Sequence, residues 1–599
     1  MKKLRKYLPL TLIALFVAYL LNRAVDIFSK TPGQLYDDRL PNFKENFLPT
    51  LKANPFSISL DIAPLIASAI FLGFILLLIA SKDTRTYRRG EEFGSSKEGT
   101  LEDIKPFADK DFNKNIILGQ DALLSIYNNY KDVELQRNKN VFLVGGPGSW
   151  KSSSYNIPNI AQMNASYIIT DPKGELRNTT AKMLEDNGYD VKVLDLKTLQ
   201  NTDQFNPFAY IHTEEMLEDV IEVIINASNG ELEKQGEPFW DNSEKLLLSA
   251  LFSYLYYCYK GYNGKPGSGE MPCLADIAEL VRYLDTEDED VKSPVEIMFD
   301  DFEEYYGSDN PAVLTFQLFK NYKGDTRASV ISMPSARFRM FNLKSVKSLT
   351  SRDTMELDKV GLKKTAIFIV LSDLNGTYNF LASLFFMLSF QILEDVADYE
   401  HGGRLPLPVR MIMEEFPSIG KIPNILKAIA IFRGRGVGFE FTAQNFDQLK
   451  RIYKDTWEEI LGACESLIYL SGSTTKLTSE TFSERSGDQT IGKTSEGQSF
   501  GGSQSGSKNT DGTGRKVYMK DEVEQLRRLN ALVKISGMPV VKVKKYNARK
   551  HPRAKEWGDK PGTENWYEYQ RYSTELEEIE ASVAQNPENE MLVVTEISN

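Results

Sequence analysis

The stretch Val141-Phe-Leu-Val-Gly145-Gly-Pro-Gly-Ser-Trp150-Lys151-Ser152 decides how the rest of the chain is read. An apolar run leads into a glycine-rich turn, and Lys-Ser then opens a helix. This is the context of a phosphate-binding loop, in which exposed backbone N–H groups cradle phosphates and a lysine reaches the β/γ oxygens. The order predicts a nucleotide site, with ATP as ligand, built from Gly145, Gly146, Pro147, Gly148, Ser149, Trp150, Lys151, Ser152 and Ser153. The Ser152 hydroxyl is placed to help hold Mg²⁺. Trp150 stands where the strict pattern has glycine, whose missing Cβ lets the backbone pass close to phosphate. The indole is expected to point outward while the amide still faces the nucleotide. The alternative is a degenerate loop that has lost its nucleotide.

A second element follows in the expected order. Val409-Arg-Met-Ile-Met413-Glu414-Glu415 reads as an apolar strand ending in two carboxylates. Glu414, in a position where aspartate is usual, would hold Mg²⁺ through water, and Glu415 would polarise the attacking water. The plain alternative is an acidic helix start, where carboxylates are favoured. Phe439-Glu-Phe-Thr-Ala443-Gln444 ends a third strand in an amide able to sense a γ-phosphate. In Arg433-Gly-Arg435-Gly, Arg433 is a candidate for stabilising transition-state charge from a neighbouring subunit, or else belongs to an ordinary solvated turn.

Around these motifs the chain alternates short β-rich runs with helical stretches. Val141–Gly145, Tyr167–Asp171, Val191–Asp195, Ala366–Leu371, Val409–Met413, Phe439–Ala443 and Ser466–Leu470 read as buried strands. That pattern predicts an α/β fold with a mainly parallel sheet. The gap between Asp195 and Ala366 is too long for one crossover, and Glu214–Ala227, Asn242–Lys260, Leu274–Leu284 and Ala312–Asn321 carry helical spacing. Residues 213–345 are therefore expected to form an all-α domain inserted between two parts of the nucleotide-binding domain, 91–212 and 346–545. Ser486–Arg515, rich in Gly, Ser, Thr and Gln, is expected to be a mobile loop. Residues 546–599 read as an acidic tail, with nine glutamates and one arginine from Glu564 to Glu596.

The first ninety residues differ from the rest. Lys2, Lys3, Arg5 and Lys6 precede an apolar run, and Ile62–Ala80 holds nineteen residues without a charge. At about 1.5 Å per residue that run matches a bilayer core. Two transmembrane helices, about 7–28 and 62–80, are expected to make residues 1–90 a plasma-membrane anchor. A cleaved secretory signal fits less well, because no small-x-small cleavage pattern follows the first run. The N-terminal cations, with Lys82, Arg85, Arg88 and Arg89 after the second span, place both termini in the cytoplasm. The net charge of −12 disfavours coating of nucleic acid by bulk charge. Three cysteines and three histidines exclude a disulfide framework and make histidine-rich metal chemistry a poor fit.

Several markers occur together and in order. Besides Gly145–Ser152 they are Asp171-Pro-Lys-Gly-Glu175, Phe205-Asn-Pro-Phe208, Phe239-Trp-Asp-Asn, Glu414-Glu-Phe-Pro-Ser-Ile-Gly-Lys421, Arg433-Gly-Arg-Gly-Val437 with Gln444, and Arg515-Lys-Val-Tyr-Met-Lys-Asp-Glu522. With them the chain, from the N-terminal spans to about residue 545, resembles the TraG/TraD-type coupling proteins of conjugative type IV secretion systems in their short Gram-positive form. The resemblance implies a RecA-like domain with an inserted all-α domain and a membrane-anchored, homo-hexameric ATPase. It further implies delivery of relaxase-bound single-stranded DNA to the channel. The implied partners are relaxase, relaxosome accessory proteins, and the channel subunits and ATPases. Two rival readings stay open: a double-stranded DNA chromosome-partitioning translocase, and a docking receptor that does not hydrolyse ATP.

Overall fold

A computed structural model describes residues 2–34, 39–80, 91–128, 131–228, 238–284, 291–372, 376–472, 474–498 and 506–568. The basic cluster after the second span (Lys82 to Arg89) and most of the acidic tail lie outside these residues. The chain divides into two units, Met1–Glu92 and Phe93–Asn599.

In the first unit α1 (Lys2–Lys30) and α3 (Ile62–Ala80) pack together, with α2 (Leu40–Ala53) between them in sequence. The Ser68 hydroxyl donates to the Ala18 carbonyl at 3.1 Å, and the Asn22 amide exchanges two hydrogen bonds with the Ser59 backbone at 3.1 and 2.9 Å. By length and composition Leu12–Lys30 is able to cross a membrane. The apolar part of α3, Ile62–Leu78, is shorter.

The second unit is built on a nine-stranded sheet. Its strands are β1 (Val141–Val144), β2 (Ser166–Asp171), β3 (Asp190–Asp195), β4 (Thr365–Val370), β5 (Val409–Met413), β6 (Val437–Ala443), β7 (Ser466–Leu470), β8 (Asn530–Ile535) and β9 (Val541–Lys544). Their spatial order is β9-β8-β7-β1-β6-β5-β2-β4-β3. Strands β1 to β7 are parallel, and β8 and β9 extend that sheet antiparallel. Both faces are covered, as a parallel sheet requires: Phe142 and Val144 enter one core, Val141 and Leu143 another.

Helix α4 (Glu175–Asp186) links β2 to β3. Between β3 and β4 the chain is helical: α5 (Glu214–Ser228), α6 (Pro238–Lys260), α7 (Leu274–Arg282), α8 (Pro294–Tyr306), α9 (Pro311–Phe319), α10 (Gly324–Phe338) and α11 (Lys344–Ser351). The helical run thus continues to Ser351, past the expected boundary at 345. Phe205 and Phe208, both buried, anchor its entry; Phe205 meets Phe385 at 5.3 Å and Phe208 stacks on Phe252 at 5.5 Å. Within it Arg337 grips the buried Glu244 carboxylate through two bonds of 2.8 and 2.9 Å. The helical run Asn379–Glu400, most of which is α12 (Asn379–Asp395), is long and apolar enough to span a membrane, yet it is mostly buried inside this unit.

Two expectations are corrected. Ser486–Arg515, expected to be a mobile loop, lies largely in a hairpin of Asp488–Gln498 with Gly506–Lys516, in register from Asp488 opposite Lys516. Glycine-rich composition does not forbid pairing when the missing Cβ leaves room for a ring. A Cβ at Gly514 would lie 2.9 Å from that of Phe93. Residues 546–568, expected to belong to the acidic tail, pack against the α/β unit. His551, Trp557 and Tyr567 are buried, and the Gly558 and Tyr567 amides donate to Thr179 and Asn178 of α4, each at 2.9 Å.

A buried polar network fixes the helix after β1 to the sheet. Arg410 on β5 donates to Glu440 on β6 and to the Asn159 carbonyl (3.1 Å) and side chain (3.0 Å), while the Tyr155 hydroxyl donates to Glu440 at 2.8 Å. Arg410→Leu leaves Glu440 charged, buried and unpaired, a change that typically costs about 3–5 kcal/mol. Urea unfolding of the full chain in detergent should show that loss. The double variant Arg410→Leu/Glu440→Leu should regain most of it.

Candidate functional site

The strand order determines what can meet. Strands β1, β6 and β5 are adjacent, so the residues following them share the C-terminal edge of the sheet. There Lys151 and Ser152 after β1, Gln444 after β6, and Glu414 and Glu415 after β5 converge. Lys151 Nζ donates to the Gly145 carbonyl at 2.9 Å and lies 3.6 Å from Glu415 Oε1. The Gln444 amide donates to the same Glu415 oxygen at 3.2 Å. The Ser152 hydroxyl donates to Glu414 Oε1. Five residues singled out from sequence are thus joined by direct contacts.

The loop has the shape its glycines allow. A Cβ on Gly145 would fall 2.7 Å from Ser149 Oγ and 2.8 Å from the Leu470 Cβ, so only glycine fits. Gly146 is buried while Pro147, Gly148 and Ser153 are exposed. After Lys151 the first turn, Ser152–Asn156, is wound as a π-helix, a form common at functional sites.

Trp150 adopts φ +63°, the left-handed region its missing glycine would favour, and its side chain is 43% exposed. That backbone costs a side-chain-bearing residue roughly 1–2 kcal/mol. Arg528 and Lys545 lie 5.6 and 5.4 Å from the indole centroid. A cation–π contact contributes about 0.5–1 kcal/mol at an exposed site and about 2 kcal/mol where desolvated, and Lys545 is buried, so the pair is of a size to offset the cost. Glu415 is also left-handed, at φ +50°. Left-handed backbone at two residues of one site is typical of a functional site.

Electrostatically the pocket is acidic beneath a cationic rim. Burial pushes the Glu414 carboxyl up to about 8 from its ordinary 4.5, with the Asp171 and Glu415 charges adding to the effect and the Ser152 hydrogen bond opposing it. Burial likewise lifts Asp171 to about 6, against the pull of the Arg177 amide, which donates to it at 2.7 Å. One Asp171 oxygen, Oδ1, is buried and has no hydrogen-bond partner among the described residues. Thr170 Oγ1 donates to the Glu414 carbonyl at 2.8 Å, fixing the strand end.

These donors fit a hard cation. Ser152, Glu414 and the orphan Asp171 oxygen offer only oxygen, as Mg²⁺ prefers. Among the described residues no group of three or more His, Cys, Asp or Glu side chains is arranged to hold a metal alone. A cation here would take its remaining ligands from phosphate and water, which is the habit of Mg²⁺ at phosphate sites.

Arg433 does not join this group. It is exposed near the end of α13 (Ile425–Arg435), just before β6 begins. Its charge acts on Lys139, which precedes β1. It thus sits at the opposite edge of the sheet, a strand's length of roughly 20 Å from the loop. Its neighbour Arg435 is tied to Glu394 at 2.9 Å and to Asp398 at 2.5 Å.

Sequence reasoning missed three residues of the site. Asp171 closes an apolar strand in a quoted motif, and that position was the available signal. Arg528 and Lys545 lie outside any motif, and only the pairing of β8 with β9 brings them to the loop.

Residues 108–570 match the family described as Type IV secretory system Conjugative DNA transfer. The bacterial conjugative coupling protein TrwBdeltaN70, in its unbound monoclinic form, is similar in fold, with a TM-score of 0.53 at 15% identity over 76% of this chain and 95% of that one. TrwB in complex with the non-hydrolysable ATP analogue ADPNP gives 0.53 at 14% identity, over 76% and 95% of the two chains. TrwB in complex with ADP and Mg²⁺ gives 0.52 at 14%, over 76% and 94%. The likeness shows a RecA-like P-loop domain carrying an all-α domain. No curated protein matches the chain.

The raised carboxyls set a pH dependence. Between 4.5 and about 8, folded Glu414 holds a proton that the unfolded chain has released, so stability falls as pH rises through that window. Thermal unfolding of the full chain without nucleotide should show a falling midpoint from about pH 5 to about pH 8. Glu414→Gln should flatten the upper half of that slope; an unchanged slope would contradict the assignment.

Proposed function

The chain belongs to the type IV secretory system conjugative DNA transfer family, and from that premise we propose that it is a membrane-anchored, Mg²⁺-dependent ATPase. In this reading it docks the relaxase–DNA complex and drives single-stranded DNA into the secretion channel. The observation that carries the reading is the row of Lys151, Ser152, Gln444, Glu414 and Glu415 along one sheet edge. Lys151 binds the β/γ phosphates in place of its present contacts with Gly145 and Glu415. Glu415, once released from that ammonium, orients and polarises the attacking water, and Gln444 reports the γ-phosphate to β6. Ser152 and Glu414 would hold Mg²⁺, which when bound would supply charge neutralisation on the phosphates. Lys151 remains close enough to Glu415 to couple phosphate binding to the base.

Arg433, a strand's length from its own loop, acts in a neighbouring subunit's site within a homo-hexamer. Helices α1 and α3 form the two-pass anchor, with both termini cytoplasmic. The helical segment α5–α11 and the acidic tail recognise relaxase and accessory proteins, whose DNA-binding function calls for basic surfaces. The left-handed Trp150 favours one second reading, a docking receptor that binds nucleotide weakly and does not turn it over.

Lys151→Ala should abolish DNA transfer between cells while membrane insertion stays intact; undiminished transfer would remove the motor reading. Arg433→Ala should lower ATP turnover with little change in nucleotide affinity. Mixing Arg433→Ala with Lys151→Ala subunits should restore part of the turnover, because some interfaces then hold both intact residues. Failure of every mixing ratio to restore activity would place Arg433 outside the reaction.

A further inference from the structure

The strained Trp150 is not held by its own loop. Two cations from the antiparallel edge of the sheet lie over its indole: Arg528, just before β8, and Lys545, just after β9. Neither cation forms an ion pair with a carboxylate among the described residues. Lys545 Nζ also donates to the Ser149 carbonyl at 2.9 Å and to the Ser471 carbonyl at 3.4 Å. Ser471 in turn donates through its hydroxyl to the Arg528 carbonyl at 3.0 Å, and the Lys545 amide donates to the Leu529 carbonyl at 2.8 Å. Lys545, the backbone of Arg528 and the loop are thus joined by hydrogen bonds, and the Arg528 side chain adds its contact with the indole.

We propose that Arg528 and Lys545 are positioning residues, a two-cation clamp on the indole that holds the phosphate loop in its anion-receiving shape where glycine is missing at position 150. The physical case has three parts. A tryptophan in left-handed backbone returns to an extended or right-handed form unless something fixes its side chain. A ring in contact with two cations is fixed electrostatically, since the ring face is negative. Lys545 adds a direct tie to the loop backbone one residue before Trp150. Burial, with the charges of Arg528 and Lys151, lowers the Lys545 ammonium to about 8, as expected of a lysine drawn in against its neighbours' repulsion.

A simpler role is the rival: the two cations add positive charge near the phosphates and nothing more. The two differ in whether the cations act through the indole. Added charge would matter equally whatever stands at position 150; a clamp matters only when tryptophan stands there.

The test uses the full chain in detergent and has two arms. The affinity arm, which rests on the proposed nucleotide site, measures binding of mant-ATP by the wild type, Arg528→Met, Lys545→Met and Trp150→Gly, and by each cation variant combined with Trp150→Gly. The clamp predicts that Arg528→Met weakens binding by about fivefold alone and by less than about twofold in the Trp150→Gly background. Lys545→Arg, which keeps the cation, should bind more tightly than Lys545→Met. Equal losses in both backgrounds would overturn the clamp in favour of added charge. The second arm, independent of nucleotide, follows hydrogen–deuterium exchange of residues 145–152. Arg528→Met should speed exchange of this segment in the wild-type background and not in the Trp150→Gly background. Unchanged exchange in Arg528→Met would overturn the clamp. If no variant binds mant-ATP, the nucleotide-site reading fails and the exchange arm still decides.

Discussion

Strand β6 lies between β1 and β5, and this placement is the constraint on which the chemistry depends. Adjacent strands are about 4.8 Å apart, so the ends of β1 and β5 stand about 10 Å from each other. Two side chains reaching inward can close that gap. The Ser152 hydroxyl does so against Glu414, and the Lys151 ammonium approaches Glu415. Gln444, on the strand between them, joins the same carboxylate. With another strand order the same residues would be scattered along the sheet.

The rest of the α/β unit serves to keep that edge in place. The Arg410–Glu440–Tyr155 network lies beneath it and ties β5 and β6 to the helix after β1. It is a fully buried ion pair, and its value lies in fixing register rather than in net stability. Above it, two carboxyls lifted by burial face a lysine that already rests on one of their neighbours. The site thus holds two carboxyls whose ionisation burial opposes, and crowded cations above them. A nucleotide with its metal would relieve both, since phosphate meets the cations and the metal meets the carboxyls. Trp150 fits this picture as an exception that is supported from outside its own loop.

Much of this was legible in the residues. The seven parallel strands are mostly apolar runs, because both faces are buried, and the charges inside them, such as Arg410 on β5 and Glu440 on β6, are paired. The loop and the double carboxylate were visible because phosphate and metal chemistry restricts the residue types at strand ends. Other features were hidden for physical reasons. Strand β9, Val-Lys-Val-Lys, alternates because it is an edge, and it gives little signal in isolation. The hairpin at 488–516 depends on pairing in register and on room for Phe93, neither of which composition reports. The segment 546–568 looked like part of a tail, since its buried groups, His551, Trp557 and Tyr567, are spaced along irregular backbone without a period. The clamp residues Arg528 and Lys545 reach Trp150 only through the fold.

The most direct measurement is ATP turnover by the purified full chain, with and without single-stranded DNA, set beside nucleotide binding and turnover by Glu415→Gln. The account predicts Mg²⁺-dependent hydrolysis that rises when single-stranded DNA is added. It also predicts that Glu415→Gln still binds ATP and no longer turns it over. Equal turnover by the wild type and Glu415→Gln, or a wild type that binds ATP and never hydrolyses it, would contradict the account.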